Sequence, residues 1–176
     1  MKSSEVCNPK SDNIEESPGD QQAKYEVVIT KKLYSELTRL CLDALPHKAY
    51  GLIGGPDKYH PRSLYPCSTN LRNTPEWKAI FDSFGEFHKN PDVGFVIAPS
   101  EVRAVMNEMS MHGESPVGVF HSHRFLSVEP SKADMALSSA SDMLCYIISV
   151  SNPPVAEVGI FSLDENGFQR IPIVRR

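Results

Sequence analysis

The stretch Val117-Gly118-Val119-Phe120-His121-Ser122-His123 carries the strongest structural signal in this chain. Its apolar run predicts a core β-strand, and the two-residue period of a strand places His121 and His123 on the same face. Two imidazoles at the end of one strand can converge on a single ion. The alternative is that one histidine belongs to the core and the other to the surface.

A carboxylate follows the two histidines. In Pro130-Ser131-Lys132-Ala133-Asp134, the first two residues mark a helix start with Ser131 as N-cap, and Asp134 falls in the first turn. An acid there also interacts with the helix dipole, by about 0.3–1 kcal/mol, which explains Asp134 but not the histidine pair. Two histidines and one carboxylate form the ligand set of catalytic zinc, with a fourth position for water. We therefore predict one Zn²⁺ per chain, bound by His121, His123 and Asp134.

The remaining pattern mixes strands and helices without strict βαβ alternation. Strands are predicted at 25–29, 51–55, 62–69, 117–123, 145–151, 158–163 and 168–174. Helices are predicted between Thr30 and Pro46, from Trp77 to Phe84, from a Ser100 cap to Gly113, and over 131–144. This mixture predicts an α/β (α+β) fold, a mixed β-sheet sandwiched by helices in a single domain.

The N-terminal residues differ in composition from the rest. Residues 1–23 are polar and rich in Ser, Asp, Glu and Pro, so we expect a disordered tail before one domain at 24–176. The tail lacks the apolar core of a secretory signal, and no run approaches the ~18 apolar residues of a membrane span. The 4 cysteines form no Cys-x-x-Cys pair, which is typical of free thiols in a reducing compartment. These features predict a cytoplasmic protein.

The charge balance excludes one class of function. The 176-residue chain has 22 acidic residues against 18 lysines and arginines, a net charge of −4. Because the basic residues are scattered among more numerous acids, we expect no basic face and no non-specific binding to nucleic acid. Composition leaves the oligomeric state open.

The spacing of the candidate ligands resembles the signature of the JAMM/MPN metalloprotease family. In that signature, His-x-His is followed after seven residues by Ser, and after two more by Asp, as from His121 to Asp134 here. The resemblance extends in order over 25–163. It includes Pro-x-x-x-x-Gly-Leu before the second strand, an asparagine after the third, and Glu129-Pro130-Ser131.

The resemblance implies an MPN/JAMM-like fold in which Ser131 helps to stabilise the tetrahedral oxyanion. Family members cleave amide and isopeptide bonds at the C-termini of ubiquitin or ubiquitin-like proteins. Short bacterial members resemble processors of sulfur-carrier or ubiquitin-like proteins that end in Gly-Gly. The implied function is a zinc-dependent peptidase or isopeptidase acting on such a C-terminal linkage.

One position departs from the family pattern in a way that bears on catalysis. Most members have a glutamate three residues before the glycine that opens the second strand, where it holds the attacking water and shuttles its proton. Here that position is Lys48, and a charged lysine cannot accept a proton. Either Lys48 disables the enzyme, or Glu129, Glu101 or a neutral, desolvated Lys48 acts as the base.

Two functions from other classes remain open. A catalytically silent MPN-type domain that binds a partner or scaffolds a complex would tolerate Lys48. A metal-dependent hydrolase of a small molecule is possible on the same fold, although no sequence feature names such a substrate.

Two further features concern the surroundings of the site. Arg124 stands where the family usually has proline, and we expect it to alter the following loop or to contact the substrate tail, unless it is simply exposed. The segment 75–91 contains aromatic residues at helical spacing, which we expect to cover the core rather than to form a partner-binding lid. These residues are Trp77, Phe81, Phe84 and Phe87.

Overall fold

The computed structural model describes residues 25–138 and 142–176. The tail predicted at 1–23 lies outside this part of the chain. The helices are α1 (Lys31–Asp43), α2 (Pro75–Ser83), α3 (Pro99–Met111) and α4 (Lys132–Leu137). The strands are β1 (Val27–Ile29), β2 (Tyr50–Gly55), β3 (Ser63–Pro66), β4 (Ser115–His123), β5 (Leu144–Asn152), β6 (Val155–Asp164), β7 (Gly167–Arg170) and β8 (Ile173–Arg175).

The central layer is a six-stranded sheet in the order β3-β2-β4-β5-β6-β7. β4 and β5 run parallel, while the other neighbouring strands are antiparallel. The sheet is therefore mixed, as predicted. β1 and β8 pair in parallel as a separate two-stranded sheet. No helix in the described ranges is both long and apolar enough to cross a membrane.

Helices cover both faces of the sheet. On one face, α1 buries Leu37 and Cys41 in a core that includes Phe120 of β4 and Tyr146 of β5. The Thr30 side chain caps α1 by accepting the backbone N–H of Leu33, as the sequence predicted.

On the other face, α3 packs Val105 and Met109 against Leu52 of β2 and Tyr65 of β3. Leu52 and its neighbour Ile53 point to opposite faces, so β2 contributes to both cores. The predicted arrangement of a sheet between helices is confirmed.

Several predicted boundaries differ from the structure, among them those of β3, β6, α3, α4 and the last predicted strand. α3 begins at Pro99 with Ala98 as its N-cap, not at a Ser100 cap, because proline fits the first helical position. α4 ends at Leu137, and Ser138 is already extended, so the predicted helix over 131–144 is too long. The predicted final strand is two strands, since Pro172 between β7 and β8 has no N–H for the ladder.

The cysteines among the described residues are free thiols, as predicted. Cys41 is buried, and Cys67 and Cys145 are partly buried. Burial raises the pKa of Cys41 and of Cys145 to about 12. These thiols are therefore protonated and unreactive near neutral pH.

A buried arginine organises the chain between β3 and α3. Arg72 is 0% exposed, and its guanidinium donates to the backbone carbonyls of His88, Val93 and Asn90. The same group lies over the Phe81 ring, 4.6 Å from its centroid. Burial lowers the pKa of Arg72, but the guanidinium remains charged. The carbonyl acceptors offset the cost of removing this charge from water. Arg72 thus fixes the loop that precedes α3.

We expect Arg72→Met to lower the free energy of unfolding by about 3 kcal/mol, because it leaves buried carbonyls without donors. Urea denaturation followed by circular dichroism measures this change. Arg103→Met is the control. Because Arg103 is exposed on α3, its replacement should change the free energy of unfolding by no more than about 0.5 kcal/mol. Equal stability of the two variants would contradict the structural role of Arg72.

Candidate metal centre

Both predicted histidines lie at the C-terminal end of β4, which is an inner strand of the sheet. β4 lies between β2 and β5, where His121 pairs with Tyr50 and Ile147, and His123 pairs with Ser149. Both histidines are buried, at 2% and 4% exposure. Their orientation on one face agrees with the two-residue period of the strand.

The three predicted ligands meet at one point. His121 Nε2 lies 3.1 Å from Asp134 Oδ1, and His123 Nε2 lies 3.3 Å from Asp134 Oδ2. The two Nε2 atoms are 3.1 Å apart. Ligand atoms from all three residues lie within 4.8 Å of one another. The structure thus brings His121, His123 and Asp134 together as the sequence predicted.

Hydrogen bonds to the outer atoms hold these side chains in place. His123 Nδ1 lies 2.7 Å from the Ser127 carbonyl, to which it donates, so its Nε2 carries the lone pair that faces the site. Asp134 Oδ2 accepts the backbone N–H of Ser131 at 2.7 Å, and Ser131 Oγ accepts that of Asp134 at 3.3 Å. This capping box at the start of α4 fixes the carboxylate.

The charge states of these groups suit a divalent cation. Burial lowers the pKa of His121, although the Asp134 carboxylate opposes the shift, so the imidazole stays neutral. Burial alone would raise the pKa of Asp134, but its interactions with His121 and His123 hold it well below its usual range. Neutral imidazole nitrogens and an ionised carboxylate are the forms that bind Zn²⁺. The donor set therefore fits this ion.

Residues between and beside the ligands position Lys48. Ser122 Oγ accepts the Ala49 N–H at 2.9 Å, and the Ser122 N–H donates to the Ala49 carbonyl at 2.8 Å. These bonds tie the residue that follows Lys48 to the histidine strand. This role of Ser122 was not predicted, although its hydroxyl between the two histidines is a signal visible in the sequence.

Lys48 lies at the site, as its position in the family pattern implies. Its Nζ lies 6.0 Å from the centroid of the Phe95 ring, and that ring is 5.1 Å from the His121 ring. Burial lowers the pKa of Lys48 to about 8, while Asp134 opposes the shift and Arg124 adds to it. A bound dication would lower the pKa of Lys48 further. The neutral form of the Lys48 amine is therefore more populated near neutral pH than the sequence alone suggested.

A narrow space that we call the small pocket adjoins the ligands. It has a volume of about 30 Å³ and is lined by His123 and Asp134 together with Lys48, Arg124 and Ser131. Asp92 also lines it, and its carboxylate lies 3.5 Å from Arg124 Nη1. Arg124 is thus a partly buried wall of the pocket. No role was predicted for Asp92, because only the fold brings it near Arg124, which follows β4.

The two carboxylates predicted as substitute bases are absent from the residues that line this pocket. Glu101 accepts hydrogen bonds from the backbone N–H groups and hydroxyls of Ser68 and Thr69, which hold its pKa at about 2 although burial acts to raise it. Glu129 is exposed and pairs with Arg170 at 3.1 Å. The structure therefore does not support either residue as the base. Among the described residues that line the small pocket, Asp92 is the carboxylate besides the ligand Asp134.

The segment 75–91 serves partly as core cover. Phe81 is fully buried, whereas Phe87 is 41% exposed and lines the small pocket. Gly94, just after this segment, has a φ of +85°, and a Cβ there would come within 2.0 Å of the Phe81 ring. Only glycine fits this position, which lies in the wall of the site.

We expect Ser131→Ala to lower the free energy of unfolding by about 1 kcal/mol, because the capping bond to the Asp134 N–H is lost. Thermal and urea denaturation measure the change. Ser35→Ala, on the exposed face of α1, is the control and should be close to neutral. A Ser131→Ala protein as stable as the control would argue against the capping box.

Comparisons with known proteins agree with this geometry. The chain matches the model for prokaryotic homologs of the JAB domain over residues 30–162. No curated protein sequence is significantly similar to it.

Solved structures share the fold at low sequence identity. A protein from Desulfitobacterium hafniense is 24% identical with a TM-score of 0.67, over 85% of this chain and 92% of that one. A protein from Salinibacter ruber is 21% identical with a TM-score of 0.59, over 85% and 91%. A JAB1/MPN domain protein from Archaeoglobus fulgidus is 14% identical with a TM-score of 0.48, over 86% and 100%. By its family match, the chain belongs to the prokaryotic homologs of the JAB domain.

Proposed function

We propose that this protein is a JAMM-type zinc peptidase or isopeptidase. The observation that carries the proposal is the convergence of His121 Nε2, His123 Nε2 and the Asp134 carboxylate, with ligand atoms within 4.8 Å of one another. Three protein ligands leave a fourth position for water or substrate, which distinguishes catalytic from structural zinc. Zinc bound there would lower the pKa of its water towards ~7 and polarise a carbonyl.

The protein residues around the ligands would position the substrate. Ser131 Oγ already accepts the Asp134 N–H, so its own hydrogen is free to donate to the carbonyl oxygen of the scissile amide. Hydrolysis adds the oxygen of water to the carbonyl carbon, breaks the C–N bond and delivers a proton to the leaving amine. A base must take a proton from the water and pass it on. Asp92, like Glu129, is exposed and pairs with an arginine, but it lines the small pocket, so we assign it as the candidate base.

As the substrate, we propose the C-terminal linkage of a ubiquitin-like or sulfur-carrier protein that ends in Gly-Gly. The family pattern implies such a substrate, and the small pocket supports it, because a space of about 30 Å³ beside the ligands leaves no room for a side chain there. The free thiols Cys41, Cys67 and Cys145 favour a cytoplasmic setting.

A second candidate function is a catalytically silent JAB domain that binds a partner. The location of Lys48 favours it, because this residue occupies the small pocket beside the ligands and brings a cation where the family pattern has a carboxylate. Arg124 adds a second cation to the same pocket. Binding zinc and hydrolysing an amide are therefore separate steps of the proposal and need separate experiments.

Metal-depleted protein should take up one zinc ion per chain, measured by elemental analysis after gel filtration. We expect His121→Ala and Asp134→Ala to lose this zinc. In zinc at 100 times its dissociation constant, the native protein should gain about 2.7 kcal/mol of stability, and the two variants should gain none. The control is His60→Ala, because His60 is exposed and pairs with Asp57 away from the site. Native protein without zinc, or zinc retained in His121→Ala, would refute the metal centre.

The role of Lys48 is tested with a ubiquitin-like protein fused through Gly-Gly to a reporter. If Lys48 blocks catalysis, we expect Lys48→Glu to raise the cleavage rate by on the order of 10²–10⁴-fold, the usual contribution of a general base. Lys48→Met is the matched control, because it removes the charge without adding a carboxylate.

The same assay examines Asp92 in the native background. If the native protein cleaves the fusion, Asp92→Asn should lower its rate by a similar factor, while zinc content stays unchanged. Native activity that survives Asp92→Asn would exclude Asp92 as the base. A zinc-loaded protein that remains inactive both as native and as Lys48→Glu would favour the silent domain.

A further inference from the structure

A second space, which we call the apolar cavity, also adjoins the metal ligands. It has a volume of about 330 Å³, and His121 and Asp134 lie in its wall. Its floor is formed by buried Leu52, Phe81 and Leu144. Its mouth is formed by side chains that are only partly buried, namely Trp77, Leu137 and Phe168.

The lining of this cavity is almost entirely apolar. Among the described residues that line it, the charged or hydrogen-bonding side chains are Asp134, His121 and Ser138, besides the Trp77 indole and the Cys145 thiol. Val119 and Val102, on β4 and α3, expose apolar surface to it. Concave apolar spaces of about 300–1,000 Å³ with a few convergent polar groups are typical ligand sites. The polar groups here include two of the proposed metal ligands.

The two spaces differ in what they can hold. The small pocket, at about 30 Å³, has room for a water molecule or two but for no side chain. The apolar cavity is about ten times larger. Gly94, Ala133 and Asp134 line both, so a substrate bound at the ligands would border the narrow space as well as the wide apolar one.

We propose that the apolar cavity binds a bulky apolar side chain on the amine side of the scissile bond, while glycine, which has no side chain, lies at the metal ligands next to the small pocket. The substrate linkage is then Gly-Gly followed by a large apolar residue such as leucine or phenylalanine. This inference rests on the proposed peptidase function and adds a specificity that the family pattern does not imply. The residues that set it are Val102, Val119 and Phe168.

Trp77 provides a direct measure of binding, because it is the 1 tryptophan of the chain and lines the cavity. Acetyl-Gly-Gly-Phe-amide and acetyl-Gly-Gly-Gly-amide are titrated into zinc-free protein, where no cleavage interferes, and Trp77 fluorescence is followed. We expect the phenylalanine peptide to bind at least ~10-fold more tightly, since the glycine peptide leaves the cavity empty.

Filling the cavity should remove this preference. Val102→Phe is expected to bring the two peptides to equal affinity while zinc uptake stays native. Val155→Phe makes the same change at a position 55% exposed on β6 and should keep the preference. Val119→Leu fills a smaller part of the same cavity and replaces Val102→Phe in this experiment if that variant does not fold.

The cleavage assay separates this inference from the function on which it rests. With zinc-loaded protein and fusions that place phenylalanine or glycine after Gly-Gly, we expect the phenylalanine fusion to be cleaved at least ~10-fold faster. Equal cleavage, together with equal binding at Trp77, would overturn the apolar specificity and leave the peptidase function standing. Failure to bind zinc would overturn the peptidase function and this inference with it.

Discussion

The position of β4 between β2 and β5 is the constraint on which the rest of the site depends. Because strand side chains alternate between faces, a one-residue slip of β4 would move both histidines to the opposite face of the sheet. The register is held by the pairing of His121 with Tyr50 and by the two hydrogen bonds between Ser122 and Ala49. The same contacts that orient the ligands therefore also place Lys48 beside them.

Burying three polar side chains at the edge of an apolar core is costly unless they are paired. His123 donates to the Ser127 carbonyl, and Asp134 accepts from the Ser131 backbone, so the outer atoms of both residues are satisfied. The buried Nδ1 of His121 has no hydrogen-bond partner among the described residues. The inner atoms face one another, and a bound cation would satisfy all three at once.

Lys48 and the metal ligands are close enough for their charges to interact, yet no ion pair joins Lys48 to Asp134 within the described part of the chain. Phe95 lies near both Lys48 and His121. Burial and, to a smaller extent, the charge of Lys48 lower the pKa of His121, so the cation favours the neutral imidazole that binds a metal. This arrangement explains how a chain can retain a complete ligand set while it lacks the glutamate of the family pattern.

Local sequence pattern was sufficient for much of this protein. The alternation in β4 and the cap at Ser131 predicted the three ligands, and the mixture of patterns predicted a mixed sheet between helices. These features depend on neighbours in the chain, where spacing translates directly into direction.

The surroundings of the site depend on contacts between residues that are distant in sequence. Glu101 and Glu129 had the right chemistry for a base. In the fold, however, Glu101 accepts hydrogen bonds from Ser68 and Thr69. Glu129 pairs with Arg170. Asp92 reaches the small pocket through the loop that Arg72 holds, and the apolar cavity forms from α2, α3 and the sheet together. Spacing alone cannot predict such contacts, because they form only when separate elements pack.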